Sequence, residues 1–80
     1  MNNTIRLEKQ LGGWRHFIGK DESLHCGDII ELYIDGKWIA GRYEAEGLNV
    51  HDKEPIAFFY FDETNYIKIR DGITARTPRQ

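Results

Sequence analysis

Asp28-Ile-Ile-Glu-Leu-Tyr-Ile34 and Lys37-Trp-Ile-Ala-Gly-Arg-Tyr43 are two runs rich in β-branched and aromatic apolar residues, the composition of strands. Asp35-Gly36 between them is a two-residue hairpin signal, because a type I′ turn needs positive φ at both central positions. With that loop, Ile34 faces Lys37, Tyr33 faces Trp38, Leu32 faces Ile39, Glu31 faces Ala40 and Ile30 faces Gly41. One face then carries Ile30, Leu32, Ile34, Ile39 and Tyr43, the predicted core. The other carries Ile29, Glu31, Tyr33, Trp38, Ala40 and Arg42.

Ile56-Ala-Phe-Phe-Tyr-Phe61, bounded by Glu54-Pro55 and Asp62-Glu63, has the length and aromatic content of a strand rather than a helix. Ile56, Phe58 and Tyr60 lie on one side and Ala57, Phe59 and Phe61 on the other, so neither side suits water. An interior strand is predicted, with its outer face, that of Phe59 and Phe61, covered by the N-terminal segment or by a second copy of the chain. Trp14 to Ile18 reads as a further strand, and Tyr66 to Ile69 and Ile73 to Arg76 flank a tight turn at Asp71-Gly72. Residues 45 to 54 read as a polar loop. Thr4 to Leu11 fits either a strand hairpinned through Gly12-Gly13 or a helical face of Leu7 and Leu11 closed by Gly12, the strand being preferred. The resulting fold class is mainly β, a small, partly open SH3-like barrel of five or six short antiparallel strands.

The chain has 80 residues, which bounds it to one domain over 1–80, with 1–4 and 77–80 as frayed ends. A domain this small buries about 60% of its unfolded surface and gains from a dense core or a partner. With 40% hydrophobic residues and 30% charged ones it falls among folded soluble proteins. Eleven Lys and Arg against 13 Asp and Glu give a net charge of −2, which supplies no broad positive field for nucleic acid or anionic lipid. The first twenty residues, interrupted by Arg6, Glu8, Lys9 and Arg15, form neither a signal-peptide core nor a membrane span. No membrane partner and a cytoplasmic location are expected, and the single cysteine, Cys26, agrees with a reducing compartment.

His25-Cys26 raises the question of a metal or a thiol nucleophile. Neighbours in an extended chain point to opposite sides, and a zinc site would need two more ligands from His16 and His51 without a second cysteine. The plainer reading packs Cys26 as a small hydrophobe, has His25 bond locally and uses Gly27 for a tight bend. No metal and no cofactor are expected. The carboxylates Asp21-Glu22, Glu44/Glu46 and Asp62-Glu63 read as solvated loop residues. Phosphate loops, nucleophile elbows and His-Glu-x-x-His helices are all missing from the sequence. The chain is therefore not expected to be an enzyme.

Leu24-His-Cys-Gly-Asp28, Ile30-Glu-Leu32, Asp35-Gly-Lys-Trp38 and Gly41-Arg-Tyr-Glu44 together resemble a family of small uncharacterised bacterial proteins, found in Firmicutes and often on mobile elements. That family has a Leu-His-Cys-Gly box followed by a Gly-x-Trp hairpin and an Arg-x-Glu ending. The likeness is good over residues 13 to 44. It is looser at Phe58-Phe59-Tyr60, where the family tends to have Trp-Tyr, and returns at Gly72-Ile-Thr-Ala-Arg76. The resemblance implies a domain of unknown function and no activity.

The candidate binding residues are Tyr33, Trp38 and Arg42, with Glu31 beside them on the second face of the hairpin. Aromatics with an arginine are usual on recognition surfaces for peptides or stacked bases. A Tyr-Trp cross-strand pair also stabilises a hairpin by roughly 0.2–1 kcal/mol without any partner, and Arg42 with Glu31 could form a surface ion pair. The leading expectation is a non-catalytic binding or accessory module acting through contacts with another protein or itself. The alternative is a nucleic-acid-associated accessory protein of a mobile element, motivated by Arg70, Arg76 and Arg79. An enzyme, redox or metal protein centred on His25-Cys26 comes last.

Overall fold

A computed structural model describes residues 3–19, 22–50 and 52–78. The described residues are all β and turn. The strands are β1 (Ile5–Gln10), β2 (Gly13–Ile18), β3 (Glu22–Ser23), β4 (Ile29–Ile34), β5 (Lys37–Glu46), β6 (Ile56–Tyr60), β7 (Tyr66–Lys68) and β8 (Ala75–Arg76). All pair antiparallel, in a three-stranded sheet of order β1-β2-β3 and a five-stranded sheet of order β7-β6-β5-β4-β8. Six of them have three or more residues, while β3 and β8 are two-residue pairings.

The hairpin of β4 and β5 has the predicted register, with Tyr33 opposite Trp38 and Ile34 opposite Lys37. Asp35 and Gly36 both have positive φ, 50° and 78°, as a type I′ loop requires. The N-terminal segment is a strand: Gln10 faces Gly13, so the tight turn falls on Leu11-Gly12 and Gly13 begins β2. β5 runs on to Glu46, into the predicted loop, because Ala45 and Glu46 find partners in Ala57 and Ile56 of β6. Tyr66–Lys68 and Ala75–Arg76 are not neighbours across Asp71-Gly72; they lie at opposite edges of the five-stranded sheet, one on β6 and the other on β4.

The inner faces of the two sheets share one core. Ile5 and Ile18 come from the first sheet, Ile30, Leu32, Tyr43, Ala57, Phe59 and Ala75 from the second, and Leu24 from the connection between them. Gly41 lies on this inner face opposite Ile30, and the Phe59 ring occupies the space a side chain there would fill. Along one side the sheets are stitched together: Thr4 bridges Thr74, the Ile5 N–H donates to the Ile73 carbonyl at 2.9 Å and the Gly72 N–H to Ile5 at 2.8 Å. The sheets do not close into a barrel.

The N-terminal segment enters this core through Ile5, on the side of β6 that carries Ala57 and Phe59, the face expected to need a cover, while Phe61 at the end of that face stays 40% exposed. That strand is interior to its sheet, with Ala57 and Phe59 buried, but its other side is left half-exposed at Phe58 and Tyr60 and open at Ile56. Expectations at residues 1–2, 79–80, Asp21, Arg79 and the ligand candidate His51 fall outside the described residues.

Candidate functional site

The outer face of the five-stranded sheet follows from the registers. Antiparallel partners share a side, so Tyr33/Trp38, Glu31/Ala40 and Ile29/Arg42 face outward together. Arg42/Tyr60, Glu44/Phe58 and Glu46/Ile56 continue the face onto β6, Tyr60/Tyr66 and Phe58/Lys68 onto β7, and Glu31/Arg76 onto β8. The result is one surface spanning all five strands.

Its side chains form two clusters. At one end the Tyr33 and Trp38 rings pack with centroids 5.2 Å apart, and the Arg76 guanidinium lies 4.0 Å from the centre of the Trp38 ring while its Nε donates to Glu31 at 2.6 Å. Glu31 thus orients Arg76, and Arg76 covers one side of the indole. At the other end the Arg42 guanidinium lies 4.9 Å from the Tyr60 ring centre. Tyr60 packs on Tyr66 at 5.1 Å, and Phe58 meets Tyr66 edge to face at 5.4 Å. Arg42 Nε stands 2.8 Å from the Glu44 carboxylate without an aligned hydrogen bond. Between the clusters is an open depression of about 300 Å³, lined by Ile29, Ala40, Arg42, Tyr60, Phe61 and Glu63 among others.

The structure brings the predicted residues Tyr33 and Trp38 together, and it places Arg42 on the same face but not with them. The partner of Glu31 is Arg76, because β8 pairs with β4 and sets Arg76 directly opposite; Arg42 belongs to Glu44 and Tyr60. The sequence shows Arg76, Phe58, Tyr60 and Tyr66 only as strand or charge, since their shared face depends on long-range pairing. Arg70 is exposed, beyond the end of β7.

Leu24-His-Cys-Gly-Asp28 is a turn that starts β4. Leu24 is buried in the core, while His25 and Cys26 are exposed, so the packed-cysteine reading is corrected: Cys26 reaches only the Ala45 carbonyl, at 3.5 Å. Asp28 accepts from the His25 N–H at 2.9 Å, and the Gly27 N–H donates to the Tyr43 carbonyl at 2.8 Å. His16 is buried in the core, its ring against Tyr43 and its backbone carbonyl accepting from the Leu24 N–H at 2.8 Å. Among the described residues no three His, Cys, Asp or Glu side chains gather in a metal-binding group.

The chain belongs to the family described as Domain of unknown function (DUF5348), whose model matches residues 3–77. No curated protein and no solved structure matches it.

Proposed function

We propose that this member of the DUF5348 family is a cytoplasmic, non-catalytic binding module whose contact surface is the outer face of the five-stranded sheet. The observation that carries the reading is the exposure of large apolar side chains on that face. Ile29 is 53% exposed, Tyr33 48%, Ile56 42% and Tyr66 54%, four of the seven large hydrophobics exposed among the described residues. A solvated sheet face normally turns polar residues outward. Cross-strand pairing accounts for Tyr33 facing Trp38, yet it gives no reason for isoleucines at Ile29 and Ile56 in water. Aromatic and arginine anchors within an apolar patch are the composition of protein interfaces.

The nucleic-acid reading draws on the same aromatics, with Arg42 over Tyr60 as a stacking platform. Glu31, Glu44 and Glu46 offset Arg42, Lys68 and Arg76 on that face, and with a net charge of −2 the chain offers no positive field to draw phosphate. Protein contact is therefore the better reading. Affinity capture from a lysate of the native host, comparing the wild-type chain with Tyr66→Lys and Ile29→Lys, tests it: specific partners, including untagged copies of the chain, should be lost with both variants. Capture unchanged by either, or oligonucleotide binding that weakens steeply with salt, would refute it.

A further inference from the structure

We infer that the open edge of β7 takes up an extended acidic segment of another protein, added to the five-stranded sheet as an antiparallel strand. The inference rests on the protein-contact reading and names the partner's chemistry.

The direction of the backbone groups is the first argument. β7 is an edge of its sheet, paired with β6 alone. The Ile69 N–H donates to the Ala57 carbonyl and the Phe61 N–H to the Asn65 carbonyl, both at 2.9 Å. Ile67 lies midway between these bonds and opposite Phe59, so its own N–H and C=O turn towards β6. Tyr66 and Lys68 therefore turn theirs away from the sheet, where they meet no partner among the described residues. An antiparallel strand docked there would exchange two bonds with each of them, and its residues opposite Tyr66, Lys68 and Arg70 would extend the outer face.

Charge is the second. Lys68 and Arg70, two apart in an extended chain and so on one side of it, both line a cleft of about 220 Å³ with Pro55, Ile56 and Ala57. Among the described residues no carboxylate lines this cleft, and neither cation forms an ion pair. Glu46, the register partner of Ile56, and Glu54 and Asp71, the chain neighbours of Pro55 and Arg70, leave both cations unpaired. At the other end of β7 the Asp62 carboxylate is engaged by Thr64 and Asn65, and the exposed side chain there is the Tyr66 ring. An antiparallel segment with carboxylates opposite Arg70 and Lys68 and an aromatic residue opposite Tyr66 matches this order. Cations on an edge also disfavour a second copy, which would gather both sets of them, and favour a strand of opposite sign.

The probe is an acetylated, amidated peptide of sequence Thr-Glu-Val-Glu-Val-Phe-Thr, titrated into the full isotope-labelled chain beside a control with glutamine in place of glutamate. Bound peptide should slow amide hydrogen exchange at Tyr66 and Lys68 several-fold and leave Ile67, already bonded to Phe59, unchanged. The glutamine peptide should bind about tenfold more weakly or worse, as loss of charge-assisted contacts implies. Lys68→Glu combined with Arg70→Glu, both at exposed positions, should abolish binding of the acidic peptide and confer binding of its lysine counterpart. Should that variant fail to fold, the exchange pattern and the glutamine control on the wild type decide. No binding at millimolar peptide, equal binding of the glutamate and glutamine peptides, or protection at Ile67 in place of Tyr66 and Lys68 overturns the inference. So does protection that grows with the chain's own concentration without peptide, which assigns the edge to a second copy. Lysate capture lost with Tyr66→Lys and Ile29→Lys, but no peptide protection on β7, ends this inference alone; capture unchanged by both variants ends the wider reading too.

Discussion

His16 Nδ1 and the Tyr43 hydroxyl lie 2.7 Å apart between the two sheets, joining β2 to β5 through the core. Both residues are buried, and the rings meet edge to face with centroids 5.5 Å apart. Burial pushes the Tyr43 phenol above the ordinary tyrosine range, so it stays protonated and able to hydrogen-bond. Tyr43→Phe should leave the imidazole nitrogen without this partner and cost about 1–3 kcal/mol. Chemical denaturation measures this, and the double variant with His16→Phe should recover part of the loss, because neither polar group then remains.

Acid should weaken the fold through the same histidine. Burial lowers the His16 pKa below its usual 6.5, with the charge of Asp71 partly opposing the shift. Below about pH 6.5 the unfolded chain takes up a proton that the folded chain does not, so stability falls as pH drops until folded His16 itself titrates. Denaturation midpoints from pH 7.5 to 5 should fall less steeply for His16→Gln, which cannot titrate. Equal slopes would count against this assignment.

Two glycines should fail for different reasons. At Gly36 φ is 78° and an added Cβ meets nothing within 4 Å, so Gly36→Val carries only the left-handed backbone penalty, about 1–2 kcal/mol or more for a branched side chain. Gly36→Asn should recover much of it. At Gly41 an added Cβ would lie 2.5 Å from the Phe59 ring and 2.5 Å from the Tyr60 carbonyl oxygen, so even Gly41→Ala should cost about 1–3 kcal/mol by overpacking. Thermal denaturation of the three variants separates a conformational from a steric requirement.

The loop between β6 and β7 is held by Asp62, whose carboxylate accepts from the N–H groups of Thr64 at 2.8 Å and Asn65 at 3.0 Å and from the Asn65 side-chain amide at 2.8 Å. These donors, the Asn65 side chain foremost, lower its pKa from 3.8 to about 2. The sign follows: the loop's contribution to stability is complete above about pH 4 and is lost as pH falls towards 2. Side-chain carbon shifts in an NMR titration should show the low midpoint and its rise in Asn65→Ala. An ordinary midpoint in the wild type would contradict the loop geometry.

The central hairpin was legible in the sequence because Asp35-Gly36 fixes its register, and the register then assigns Ile30, Leu32 and Tyr43 to the core and Tyr33 and Trp38 to the other face. The pairing of Glu31 with Arg76 was not, since it joins residues 45 positions apart through a strand of two residues. β5 continued past its apolar run because Ala45 and Glu46 gain partners on β6, a tertiary effect that no local pattern carries. The aromatic content of β6 was visible as well. What was hidden was that Phe58 and Tyr60 pack against Tyr66 on an open face.

Hydroxyl-radical footprinting of the tagged chain, once in dilute purified form and once in host lysate at its native concentration, tests the role of the outer face most directly. Tyr33, Trp38, Tyr60 and Tyr66 should be oxidised several-fold more slowly in the lysate, with Leu11 unchanged as the internal reference. Equal oxidation of those four aromatics in both conditions would show an unoccupied face and contradict the account.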